Sequence, residues 1–188
     1  PSIYDSHNCE AAIKGRLLSR TLAGRYLARR VEQTERDAVT GADLTLACSP
    51  LDEAEFVRRY HVDPSRVVSA PNGVDCRRLR PAEKDEKPSL RMDLGMPPEG
   101  PLAVFIGSNY EPNVQGLAFL IDELAPALPG LTIAVLGGCC QMWRERHPHG
   151  SVPDNVRLCG FVEAAWLREL LCAADLAFNP MTVGSGTN

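Results

Sequence analysis

The 188-residue chain carries 24 acidic and 20 basic side chains, a formal charge of −4, with 44% hydrophobic and 23% charged residues and 15 each of Gly and Pro. That composition excludes a collagen, a coiled coil or a disordered chain, and it leaves no overall basic field to hold nucleic acid. The chain starts at Pro1 with no initiator Met and no charged leader, so a fragment of a longer protein is expected.

Short apolar runs predict strands over residues 2–5, 44–48, 67–70, 102–106, 131–136, 156–159 and 176–178, and amphipathic stretches predict helices over 10–38, 50–60, 113–127 and 163–173. Continuously apolar strands alternating with helices indicate parallel sheets covered on both faces, an α/β fold of Rossmann-like units. The helix at 10–38 is locally basic, with Lys14, Arg16, Arg20, Arg25, Arg29 and Arg30. A helix packed on a sheet with a solvated outer face is the first expectation for it, and peripheral contact with anionic headgroups on an inner membrane surface the second. Ser49-Pro50 followed by Asp52-Glu53 is a helix start, with a capping hydroxyl, Pro in the first turn and acids at the positive dipole end. Pro71-Asn72-Gly73 marks a turn after a strand. Residues 77–101 are mostly polar, without an apolar stripe, and read as a linker between two α/β units.

The twenty uncharged residues from Leu124 to Trp143 reach membrane-spanning length. They are broken by Pro126, Pro129, Gly130, Gly137 and Gly138, so a buried strand is expected there and not a span. The seven Cys are odd in number and irregular in spacing, which argues against a disulfide framework and for a reducing, cytoplasmic setting. Cys48, Cys159 and Cys172 lie in apolar runs as small hydrophobes. Cys139-Cys140 with His147 and His149 make a poor metal set, because adjacent Cys rarely reach one tetrahedral ion; they are expected to be loop residues, and no metal site is expected.

In open α/β sheets, ligands bind beyond the carboxyl ends of the strands. Those positions hold Asp5-Ser6-His7-Asn8 after the first strand, Gly107-Ser108 through Asn113 after the fourth, Gly160-Phe161-Val162 after the sixth, and Gly184-Ser185-Gly186-Thr187-Asn188 after the seventh. Glycine lets backbone amides approach an anion, so the two Gly-Ser loops suit phosphate. His7 is the candidate base or donor near neutrality, set against a surface or capping role. No P-loop and no Gly-x-Ser-x-Gly nucleophile elbow is present.

The ordered set Tyr4-Asp5-Ser6-His7-Asn8-x-Glu10, Ala42-Asp43, Cys48-Ser49, Val68-x-x-Pro71-Asn72-Gly73-Val74-Asp75, Phe105-Ile106-Gly107-Ser108, Val135-Leu136-Gly137-Gly138, Val156 to Val162 and Gly184 to Asn188 resembles the retaining glycosyltransferases of family 4, with the GT-B fold. The resemblance implies transfer of a sugar from a nucleotide-sugar donor to an acceptor hydroxyl with retention, in the synthesis of a cell-surface polysaccharide or glycolipid. It implies a C-terminal part of the acceptor-side domain at 1–80 and most of the donor domain, truncated at its end, at 81–188. Carried over by position, His7 is catalytic and faces the interdomain cleft, with Asp5 and Asn8 on the acceptor side. Gly107, Ser108, Asn113, Gly184, Ser185, Gly186, Thr187 and Asn188 approach the donor diphosphate, and Phe161 and Val162 hold the base. The partners implied are a nucleotide sugar and an acceptor glycan or lipid-linked sugar, and no metal or other cofactor is required.

Two departures stand out. Many family members place an Arg and a Lys after the fourth strand, whereas Ser108 to Gln115 holds no cation. The first of the family's two glutamates falls near Val183 and the second beyond Asn188. Little or no transferase activity is therefore expected of this polypeptide alone. A GT-B-like binding module without catalysis is the alternative, and a nucleotide-sugar epimerase a weaker one.

Overall fold

Three parallel strands, β1 (Ile3–Ser6), β2 (Leu44–Ala47) and β3 (Val67–Ser69), pair in the order β1-β2-β3 in a computed structural model that describes residues 1–180. They belong to the first of two compact units, Pro1–Gly73; the second covers 74–180 among the described residues. Helices α1 (Glu10–Leu17), α2 (Leu22–Gly41) and α3 (Pro50–Tyr60) connect the strands. Residues of neighbouring strands register as Asp5, Leu46 and Val68. The intervening positions feed a core of Val39, Ala47, Phe56, Tyr60 and Val67, with Cys9 also buried in it.

The basic helix expected over 10–38 is two helices. Thr21 caps the second, its Oγ1 accepting from Gly24 N–H at 3.0 Å. Gly24 lies so close to the first helix that a Cβ there would be 2.1 Å from the Leu18 carbonyl oxygen. A cap hydroxyl followed by this glycine turns the chain where apolar periodicity alone runs on. At α3 the expected start holds: Ser49 Oγ accepts from Asp52 N–H at 3.1 Å. The helix ends at His61 in a left-handed conformation, φ 54°.

In the second unit α4 (Lys87–Asp93) precedes a sheet of β4 (Leu102–Ile106), β5 (Thr132–Leu136), β6 (Val156–Gly160) and β7 (Leu176–Ala177), ordered β6-β5-β4-β7 and parallel in every pairing. Between β4 and β5 run α5 (Glu111–Phe119), a π-helical turn (Leu120–Leu124) and the short α6 (Ala125–Ala127); α7 (Cys139–Arg146) follows β5 and α8 (Ala164–Ala173) follows β6. The π-helical turn sits just before Pro126, which lacks an amide for the α pattern. Ala103, Phe105, Ile133 and Val135 pack on one face with Val114, Leu117 and Trp143. Leu102, Val104, Ala134 and Leu136 pack on the other with Leu170, Ala173 and Met96. Alternate residues of one strand thus enter two cores, which explains why these strands are apolar throughout.

Two expectations are corrected here. Residues 77–101 are not only a linker: they contain α4, and Arg91, Leu94 and Met96 are buried. Its anchor is a guanidinium, which no apolar stripe announces. Arg91 donates from Nε and Nη2 to the Ala173 carbonyl at 3.1 and 2.9 Å, from Nη1 to the Gly100 carbonyl at 2.8 Å, and from Nη2 to Asp175 at 2.7 Å. Partial burial opposes ionisation of Asp175, but hydrogen bonds from Lys87, the Leu102 amide and Arg91 outweigh it and hold the carboxyl at about 2. Arg91→Met would leave those carbonyls and the carboxylate short of donors, and a loss of about 3 kcal/mol is expected. Urea denaturation followed by tryptophan fluorescence measures it, since Trp143 and Trp166 both lie in this unit.

The second correction concerns Cys139 and Cys140, which form the first turn of α7, buried, and are not loop residues. Cys139 and Trp143 repeat at i and i+4 on the buried side of α7, with Cys140 beside them, and Trp143 stacks on His147 with centroids 4.9 Å apart. All seven cysteines are free, and no group of three or more metal-ligating side chains is assembled among the described residues. No helix among them is long and apolar enough to cross a membrane.

Candidate functional site

The loops after β4, β5 and β6 lie side by side along one edge of the second sheet, because those strands are neighbours in it. Gly107 N–H donates to the Leu136 carbonyl at 2.9 Å, and its own carbonyl accepts from Cys139 N–H at 3.1 Å. Gly137 N–H donates to the Gly160 carbonyl at 2.7 Å, joining the third loop to the second. Glycine is required at these contacts. A Cβ on Gly107 would lie 2.7 Å from Cys139 Sγ, and one on Gly138 would lie 2.9 Å from Asn109 N. Gly137 has φ +92°, and a Cβ there would be 2.3 Å from the Gly107 carbonyl oxygen. Main chain therefore packs directly on main chain at this edge, with Ser108 and Asn109 exposed beside it. The amides of Ser108, Asn109 and Gly138 have no acceptor among the described residues. Amides without acceptors beside the starts of α5 and α7, those of the exposed Ser108 and Asn109 and of the buried Gly138, favour an anion.

Asn113 braces this loop. It is buried, and its Nδ2 donates to the Ser108 carbonyl at 3.2 Å and to Ser108 Oγ at 3.1 Å. No basic residue occurs in 108–115, but α7 brings Arg146 to Glu111, Nη1 to Oε2 at 2.7 Å. Hydrogen bonds from Arg146 and Gln115 hold the Glu111 carboxyl below its ordinary range. Phe161, next after Gly160, is 82% exposed. With Val162, Glu163 and Trp166 it lines an open depression of about 450 Å³. Gly107, Ser108, Asn113, Phe161 and Val162 thus share one sheet edge, while Gly184, Ser185, Gly186, Thr187 and Asn188 lie outside the described residues.

In the first unit His7 is exposed immediately after β1, and Asp5 is exposed on the strand itself. Asn8 Nδ2 reaches Glu10 Oε1 at 3.4 Å, and buried Ser6 donates from Oγ to the Asn8 carbonyl at 2.7 Å. The segment that follows is fixed by two buried carboxylates. Glu35 accepts from Glu10 N–H at 2.6 Å, Ala11 N–H at 3.2 Å and Tyr60 O–H at 2.5 Å. Asp52 accepts from Cys9 N–H at 3.4 Å. Glu35 therefore supplies from α2 the cap that α1 lacks locally. Sequence reasoning passed over Glu35, yet it shares the helix face of Val31 and Val39 at i±4, and an acid on a buried arc is a signal for such a role.

No family model matches the chain. In sequence it is 30% identical over 158 residues to D-inositol 3-phosphate glycosyltransferase 2 of Catenulispora acidiphila, covering 78% of this chain and 36% of that protein. The D-inositol 3-phosphate glycosyltransferase of Salinispora arenicola is 29% identical over 161 residues, with the same coverage. The chain thus spans about a third of the length of these curated relatives. Among solved structures, HepE of Anabaena in complex with UDP superposes with a TM-score of 0.66 at 17% identity, over 97% of this chain and 47% of that one. WaaG, a glycosyltransferase involved in lipopolysaccharide biosynthesis, gives 0.65 at 19% identity, over 96% and 50%. The fold is that of part of a GT-B glycosyltransferase, and the chain's relatives in sequence are glycosyltransferases.

Proposed function

We propose that the chain is part of a retaining glycosyltransferase that moves a sugar from a nucleotide-sugar donor to an acceptor hydroxyl, in cytoplasmic synthesis of a cell-surface polysaccharide or glycolipid. The observation that carries the reading is the glycine-tight edge of the second sheet, where the amides of Ser108, Asn109 and Gly138 have no acceptor among the described residues, on the same edge as the exposed Phe161. Charge grows on a nucleoside diphosphate as it departs, and fixed amides stabilise it without reorganising and without a metal. In this assignment residues 81–188 form the donor side. Gly107 and Ser108 contact the diphosphate with Gly184, Ser185, Gly186, Thr187 and Asn188, and Asn113 holds Ser108 in place. Phe161 and Val162 take the base. Residues 1–80 form the acceptor side, with His7 as the catalytic group next to the transferred sugar and Asp5 and Asn8 beside the acceptor. The names of the relatives, and the UDP bound to HepE, support this reading.

Calorimetric titration of UDP and GDP into the protein tests it. Binding of one of them, weakened about tenfold by Phe161→Ala through lost stacking, is the expected result. A folded protein that binds neither overturns the donor site. A second reading, a nucleotide-binding module without catalysis, draws on one observation: residues 108–115 hold no cation, and the Arg146 brought to them is paired with Glu111. Binding without transfer or donor hydrolysis by the full-length protein would favour it.

A further inference from the structure

The loop after β4 carries a single charge near the amides of Ser108 and Asn109, and its sign is wrong for an anion. Between Gly107 and Gly116 the only charged side chain is Glu111, which stands in the first turn of α5, three residues from Ser108. The first turn of α7, Cys139 to Met142, adds no charge of its own. Left alone, the Glu111 carboxylate would repel a diphosphate brought to the same helix start.

The fold answers that carboxylate from α7. Arg146 Nη1 lies 2.7 Å from Glu111 Oε2, and Glu111 is the only hydrogen-bond or ion-pair partner of Arg146 among the described residues. A guanidinium holds five N–H donors, so one carboxylate does not exhaust it. Bracing of α5 on α7 does not call for this pair. Val114, Leu117, Cys139 and Trp143 already join the two helices in one core, and an ion pair whose side chains are 41% and 46% exposed contributes little to stability. Nor does the dipole of α7 single out Arg146. Arg144 sits in the same last turn, and it donates to the Leu158 carbonyl instead. What separates Arg146 is that its charge is delivered to the start of α5.

We infer that Arg146 is the cation of the diphosphate subsite: it cancels the Glu111 charge, and its remaining N–H groups donate to a phosphate oxygen beside the Ser108 and Asn109 amides. The inference rests on the donor-side reading above and adds to it the residue that supplies the positive charge. Glu111 holds the guanidinium in place and competes with the ligand for it, so the two residues have opposite effects on binding.

Calorimetry with whichever of UDP and GDP binds, set against its own nucleoside, uridine or guanosine, tests the assignment. Arg146→Gln is expected to weaken the diphosphate by about tenfold and to leave the nucleoside within about twofold, with Arg146→Lys in between. Glu111→Gln is expected to tighten the diphosphate by about threefold. In Glu111→Gln/Arg146→Gln the loss from removing Arg146 is expected to persist. Arg157→Gln removes the same charge at the opposite end of the sheet, beside Thr132 and Pro153, and is expected to change nothing. Circular dichroism confirms that the variants fold. Diphosphate binding indifferent to Arg146→Gln would overturn the inference and leave the donor site standing. So would an equal loss in Arg157→Gln, which would mark a general field, or a loss that vanishes once Glu111 is Gln, which would reduce Arg146 to a neutraliser of that carboxylate. A folded wild type that binds neither diphosphate would overturn the donor-side reading and this inference together.

Discussion

Replacing Gly137 with alanine is expected to destabilise the second unit by about 2–5 kcal/mol, combining the left-handed backbone cost with forced displacement in a packed loop. Both causes are local and separable. The residue sits at φ +92°, and the added Cβ would come within 2.3 Å of the Gly107 carbonyl oxygen, a main-chain atom that cannot rotate away. Gly95 supplies the control. It has φ +70° but nothing within 4 Å of a Cβ position, so Gly95→Ala should lose only about 1–2 kcal/mol from the backbone alone. Urea midpoints read from tryptophan fluorescence compare the two. Equal losses would show that contact between the β4 and β5 loops contributes little. A larger loss at Gly137 ties the stability of the unit to the loops proposed to hold the diphosphate.

Glu35→Ala is expected to remove about 3–5 kcal/mol from the first unit, because it strands two main-chain amides and the Tyr60 hydroxyl in the interior. Hydrogen-exchange protection of the amides of Glu10 and Ala11 should fall most, and unchanged protection there would contradict the capping role. The same cluster sets an alkaline limit on stability. Burial, together with the Glu35 carboxylate, raises the Tyr60 phenol above its usual 10.0. Burial likewise pushes the Cys9 thiol from 9.0 up to about 12. Both groups are neutral in the folded protein and ionise more readily once unfolded. Their contribution is therefore fully present below about pH 9 and is lost as pH rises through 12. A stability profile that stays flat from pH 8 to 11 would contradict it, as these bounds bracket the onset set by the ordinary thiol value of about 8.5.

Much of this architecture is legible in the sequence for a simple reason. In a parallel sheet covered on both faces, every strand residue is apolar, so 102–106 and 131–136 stand out without any tertiary information. Strand ends then direct attention to Gly107, Ser108, Phe161 and Val162, which do share one edge. What escapes is non-local or polar. α4 is anchored by Arg91 on the Ala173 carbonyl, 82 residues away. α7 hides its buried Cys139 and Trp143 among Gln, Arg and Glu. The break between α1 and α2 depends on Thr21 and Gly24 meeting the end of the preceding helix. Gly137 and Gly138 read as ordinary turn residues until the β4 loop is laid against them. The same is true of Glu35, whose partners come from α1 and α3.

The central claim is that the main-chain edge over β4 and β5 receives a nucleoside diphosphate. Amide chemical shifts of the ¹⁵N-labelled protein, followed during titration with UDP and then GDP, address it residue by residue. The account predicts that the largest changes fall on Ser108, Asn109 and Gly138, with a second group at Phe161 and Val162, and that inorganic phosphate at high concentration moves only the first group. Shifts confined to other surfaces, or a titration that leaves Ser108, Asn109 and Gly138 unmoved while nucleotide binds, would contradict it.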